Sequence, residues 1–158
     1  MTRLIGSVYC LARPMSETAR QTLVEEIAYG GKRYAEIIRA DARVGKTTFF
    51  SPGESSFQFG LLAHEAGFVE APHYHQPFSR TIDDLQQMFV VQRGVVAVEL
   101  YADDGSKLRE VILRVGDAIV LIHGVHAIRV IEDMQCISVK QGPFLGPDYD
   151  KVNVKVKE

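Results

Sequence analysis

From Tyr34 onward the chain alternates short β-branched and aromatic runs with turn residues: YAEIIRA, TTFF, SFQFGLLA, MFVVQ, VVAVELY, REVILRV, AIVLI, AIRVI and CISVK. Runs of this length and composition predict strands. The separators SPGESS, EAG, RG, ADDGS, GD, HGV, EDM and QGP are too short for crossover helices, so they predict antiparallel meanders closing into a sandwich or barrel. The first forty residues read differently. Ser16 followed by ETARQTLVEEIAYGG predicts an N-capped helix with Leu23, Val24 and Ile27 on one face and Gly30-Gly31 at its end. One connection is long, the polar stretch from Gln76 to Leu85, and it is a lid candidate. The tail KVNVKVKE alternates Lys and Val with period two, which predicts a lysine-guarded edge strand or pairing with another subunit.

Composition narrows the class. The 158 residues are 46% hydrophobic and 24% charged, enough for one globular domain with its own core. Within it the expected parts are residues 1–50 (helix and flanking strands packed on the barrel), 51–145 (barrel core) and 146–158 (tail). With 18 basic against 20 acidic residues, the formal net charge is -2, which argues against a nucleic-acid partner. No apolar run suits a membrane span or a secretory signal, and Cys10 and Cys136 form no CxxC pair. The expectation is a cytoplasmic protein without a membrane partner.

Four of the five histidines fall in two groups, His73-Tyr74-His75 and His123-Gly124-Val125-His126. Residues two apart in a strand share a face, so His73 and His75 are expected to present both imidazoles together, as cis ligands of a divalent metal, with Tyr74 pointing away. Gln87, Phe89 and Val91 share one strand face, and His126, Ile128 and Val130 another. Barrel closure would bring them together. His64, alone, reads as an ordinary hydrogen-bonded residue.

The frame around these histidines resembles the cupin superfamily. Gly67-FVEAP-His73-Tyr74-His75 is similar to the first half of that family's first motif, and Gln87-MFVVQR-Gly94 to the second half, with six residues between Gln87 and Gly94. Gly116-DAIVL-Ile122-His123-Gly124-Val125-His126 resembles the second motif. The resemblance covers roughly residues 57–143 and implies an all-β fold, a single cupin jelly-roll barrel (double-stranded β-helix), here with an N-terminal helix. A closer resemblance, to small cupins associated with sugar and cell-surface polysaccharide biosynthesis, rests on Pro72-His73-Tyr74-His75, Arg80-Thr81, Gly116-Asp117, His126 and Lys140-Gln141-Gly142-Pro143. It implies a homodimer, for which Phe57, Phe59 and Leu61 offer an apolar face unless they serve the monomer's own core.

The resemblance implies a metal site of His73, His75, Gln87 and His126. Gln87 stands where the family has Glu, so the ligands are neutral, which disfavours hard ions and leaves Zn, Fe, Ni, Mn or Cu. The spacer from His75 to Gln87 holds eleven residues, longer than in the family, and Ile122 replaces a proline. The second motif is one residue short, so His123 competes with His126 for the inward position, and His126 is favoured. An amide cannot act as a general base, so that duty falls to a metal-bound hydroxide or to a free histidine such as His123, a candidate catalytic residue; Arg80 is a candidate clamp for an anionic group. The functional expectation is a metal-binding protein, an enzyme acting on a small anionic or sugar-derived molecule. The alternatives are a metal-free cupin sugar isomerase or epimerase, with His75 or His126 as base, and a non-catalytic small-ligand-binding module.

Other features carry no chemistry. Val44-Gly45-Lys46-Thr47 lacks the leading glycine of a phosphate loop, since Ala40 stands there, and no G-x-S-x-G elbow is present. Cys136 has no activating neighbour in sequence, and the pairs Asp83-Asp84 and Asp103-Asp104 read as loop and turn residues.

Overall fold

A computed structural model describes residues 23–157. The strands are β1 (Val24–Tyr29), β2 (Lys32–Ile38), β3 (Thr48–Phe49), β4 (Gly60–Leu61), β5 (Gln87–Tyr101), β6 (Lys107–Leu113), β7 (Ala118–Leu121) and β8 (Val125–Lys140), followed by a four-residue helix α1 (Pro147–Asp150). One sheet runs β1-β2-β7-β5-β6, with β8 on the other edge of β5, and β3-β4 form a separate small hairpin. The fold is mostly β, as the alternating runs predict.

Three local expectations are corrected. The helix expected through Gly31 is instead β1 over Val24–Tyr29, and its residues 16–22 lie outside the described residues. Gly30 and Gly31 have φ of 58° and 77°, the left-handed pair that a two-residue hairpin turn requires, so the Gly-Gly that reads as a helix end is the turn joining β1 to β2. The RG and EDM separators do not end strands. Gly94 (φ 78°) forms a bulge that lets β5 continue, and a Cβ there would lie 2.7 Å from the Asp133 carbonyl carbon of β8. Among its described residues the tail forms no strand; it is tied to the β5–β6 turn by Lys157 N donating to Gly105 O (3.0 Å) and Lys157 Nζ to Asp104 (2.7 Å).

The register requires the sheet to curl. Leu121 pairs with Gln87 at the start of β5, yet Val125 pairs with Tyr101 at its end. Four peptide steps span at most about 14 Å, so the ends of a strand that would measure about 46 Å if straight must approach one another. The result is a curled half-barrel.

Each side of the curl has its own core. Val91, Val98, Leu100, Val111, Leu113, Ile119, Leu121, Ala35 and Ile37 pack into one cluster drawn from both halves of β5, which is possible only on the concave side. Val24, Ile38, Ala118 and Val120 face the other way and are covered by Phe50 and Phe59 around the β3-β4 hairpin. Phe59 is buried there, with Phe57 and Leu61 packed against the cluster, so these three belong to the monomer's core. Asp117 locks the turn before β7: its carboxylate accepts from the backbone N–H of Ala40 (2.9 Å) and Arg114 (3.0 Å) and from Arg39 Nη1 (3.1 Å). Arg39 also holds Glu25 of β1 and the Ile112 carbonyl of β6, and so ties three strands together.

Candidate functional site

The curl builds a polar mouth. Directly opposite residues of a ladder share a sheet face, and Leu100↔His126, Val98↔Ile128, Phe89↔Ser138 and Gln87↔Lys140 put His126, Ser138 and Lys140 on the concave face with Gln87. Gln87 Nε2 donates to Ser138 Oγ (2.9 Å). Lys140 Nζ lies 2.6 Å from Asp150 Oδ2 and over the Phe144 ring at 4.3 Å. The next residue, Lys151, is close enough to act electrostatically on His126. Both ends of β8 therefore face the same opening. Desolvation, and then the Lys151 ammonium, hold the His126 pKa below its ordinary value, although the residue stays partly open to solvent.

His73 and His75 are not on a strand. Residues 62–86 carry no strand or helix, so the long connection begins well before Gln76. Pro72 and Pro77 bracket the pair and remove two ladder donors, which is the physical reason the HYH run does not extend a sheet. The two imidazoles nevertheless meet, with ring centroids 5.3 Å apart and planes at 81°, while Tyr74 is exposed. His73 Nδ1 is 3.0 Å from the Ala71 carbonyl, which leaves Nε2 as the lone-pair nitrogen in the neutral ring. Among the described residues, no three His, Cys, Asp or Glu side chains converge as a metal site, so this pair and His126 stand apart.

His123 takes another route. Its Nε2 is 2.7 Å from Asp103 Oδ1 and its ring meets Tyr34 edge-on at 5.3 Å. Lys32 Nζ, 2.9 Å from Asp103 Oδ2, completes a row across three turns. Lys32 and then His123 hold the Asp103 carboxyl below its usual range. Gly124 makes this approach possible, since a Cβ there would lie 2.5 Å from the Tyr34 ring. His123 thus points to the β5–β6 turn, and His126 is the one of the two on the concave face.

The remaining candidates have ordinary partners. His64 is hydrogen-bonded to Thr47 (3.1 Å) and stacked on Phe68. Arg80 lies over the Phe78 ring at 3.6 Å, in an exposed segment. Cys136 is a free thiol packed against the concave core, and burial pushes its pKa up, the opposite of an activated nucleophile. The sequence reading missed Lys32, Tyr34, Ser138 and the Lys140–Asp150 pair. An Asp in the turn between two strands and a Lys in another turn have no local signature of pairing, because only the curl brings those turns together.

Brought together, His73, His75, His126 and Gln87 would offer three imidazoles and an amide oxygen, the donor types of a borderline divalent ion, with the Glu70 carboxylate 3.8 Å from His73 Nδ1. Reach permits assembly as well. The eleven residues between His75 and Gln87 reach about 40 Å when extended, and Gln87 lies on the same concave face as His126. The chain matches no family model, no curated protein and no solved structure.

Proposed function

We propose that this protein is a cupin-type metal-binding protein that uses His73, His75 and His126, with Gln87 beside them, to hold a divalent transition metal and act on a small anionic molecule at the mouth of the curl. The observation that carries the reading is the mutual approach of the His73 and His75 rings, with centroids 5.3 Å apart, in an otherwise irregular segment. A metal held there would polarise a chelating carboxylate, carbonyl or phosphate oxygen of the ligand. The chain's own contribution is to hold Gln87 through Ser138 and to lower the basicity of His126, with Lys140, paired to Asp150, as the cation of the mouth. A homodimeric, single-barrel arrangement belongs to the same reading.

Elemental analysis of the purified protein tests it. Near-stoichiometric metal is expected in the native chain, with loss in His73→Ala/His75→Ala and weakening in His126→Ala. Equal metal content in the native protein and the double variant, after incubation with Zn, Fe, Ni, Mn or Cu, sinks the proposal.

The 2.7 Å contact of His123 with Asp103 favours a second reading, metal-free acid–base chemistry. There a carboxylate orients a histidine base, as a sugar isomerase or epimerase requires. Proton exchange from a keto-sugar that survives chelation and is lost in His123→Ala would select it over the metal.

A further inference from the structure

The residues after α1 form a strap with two fixed ends. At the first, Asp150, its side chain 8% exposed, lies 2.6 Å from Lys140 Nζ on the rim of the concave face. At the second, Lys157 N donates to Gly105 O (3.0 Å) and Lys157 Nζ lies 2.7 Å from Asp104. The turn that receives Lys157 follows directly on Tyr101, whose partner Val125 precedes His126. Six peptide steps join Lys151 to Lys157, at most about 21 Å, so the two anchors confine Lys151 between Lys140 and the His126 end of the curl. There its charge reaches His126.

Lys151 differs from the neighbouring cations in having nothing to neutralise it. Lys140 is committed to Asp150, Lys157 to Asp104 and Lys32 to Asp103, while Arg80 rests on the Phe78 ring in the exposed 62–86 segment. The Lys151 ammonium is exposed and has no ion-pair or hydrogen-bond partner among the described residues. On the metal reading, this free charge determines what can bind beside the ion. The metal brings two positive charges, Lys151 adds a third, and Glu70, 3.8 Å from His73, offsets one. Two remain, which a dianion of the phosphate type balances and a monoanion or neutral ligand does not.

We propose that Lys151, held at the mouth by the strap, binds the dianionic group of the ligand against the metal, so that metal and dianion bind as a coupled pair; this rests on the metal-binding reading above. Without the dianion, Lys151 repels the ion. An oxygen shared between the ammonium and the metal turns that repulsion into attraction on both sides. The coupling is reciprocal, so the metal tightens the dianion by the same factor as the dianion tightens the metal. Lys157 acts at a distance, as a positioning residue that keeps the far end of the strap in place.

Zinc affinity, measured by competition with a chromophoric chelator in chloride and in inorganic phosphate at equal ionic strength, tests the coupling. Phosphate should tighten zinc binding to the native chain by about 10-fold, and acetate, a monoanion, by much less. Lys151→Met should abolish the gain without weakening zinc binding in chloride, which separates loss of the dianion's partner from loss of the fold. Lys157→Ala should shrink the gain, and Lys46→Met, at an exposed lysine between β2 and β3, should leave it whole. An equal gain in the native chain and in Lys151→Met overturns the proposal, as does no gain in the native chain. If zinc binds in neither buffer, the metal reading fails, and phosphate titrated into the metal-free chain decides on Lys151 by phosphorus NMR. A phosphate resonance shifted by the native chain and not by Lys151→Met keeps Lys151 as the dianion's partner; the same resonance with both chains removes it.

Discussion

The inner part of the sheet, where β2, β7 and β5 meet, and the 62–86 segment contain similar apolar residues, but fare very differently. Ile37 and Ile119 are fully enclosed because a strand lies on either side and a curled face closes over them, and Leu113 of β6 because the same concave cluster covers it. Phe68, Val69, Tyr74 and Phe78, in a run interrupted by two prolines, have no such frame and lie open. The lesson is that hydrophobicity marks which residues can be buried, and backbone pairing determines which are. In this chain the region that bears stability and the region that bears His73 and His75 are different.

Mutations should separate the two sharply. Leu113→Ala is expected to cost about 2–5 kcal/mol in urea unfolding, from lost transfer energy and a cavity in a packed core. Tyr74→Ala should stay within about 0.5 kcal/mol. Comparable costs at both sites would mean that the 62–86 segment is packed in solution and would break the contrast.

A smaller effect tests how the rim of the inner sheet is held. Asp117→Ala removes the acceptor of the Ala40 and Arg114 N–H groups and of Arg39, and about 2–3 kcal/mol of stability should go with it. Asp117→Asn, which keeps one acceptor oxygen, should lose less. Equal losses would assign the turn's stability to something other than these bonds.

The smallest effect lies at the mouth. Because desolvation lowers the His126 pKa, the unfolded chain binds its proton more readily than the folded one. Stability contributed by this group is therefore fully present above about pH 6.5 and is lost as pH falls through the lower, folded value. NMR titration should give His126 a midpoint below 6.5, and His126→Gln should flatten the stability profile across that window. A midpoint at or above 6.5 would place the ring in open water.

How much of this was readable in the chain follows the same division. Strands β2, β6 and β7 and the turns at Asp103-Asp104 and Gly116-Asp117 are legible because period-two burial and turn residues act locally. The face shared by His126, Ile128 and Val130 is legible for the same reason. Gly30-Gly31 misleads because two glycines after an amphipathic run serve equally as a helix end or a hairpin turn, and β2, which decides between them, comes later in the chain. The long β5 is hidden because a glycine with positive φ makes a bulge when a neighbouring strand packs against it and a turn when none does, and the long β8 because the EDM run opposite that bulge reads as a turn. Asp103 meeting His123 is invisible for a stronger reason: the contact exists only once the sheet has curled.

One pairing described above governs how the chain must assemble in time. β5 and β6 close across a five-residue turn, but Ala35 on β2 waits for Leu121 on β7. Closing a loop of that span costs about 2.4 kcal/mol more in chain entropy than closing the short turn. During synthesis the β1-β2 hairpin emerges without its neighbour and stays unpaired on that edge until the β7 residues are made. The β5-β6 meander, by contrast, can form as soon as its own residues appear, so the N-terminal hairpin joins a sheet already begun around β5.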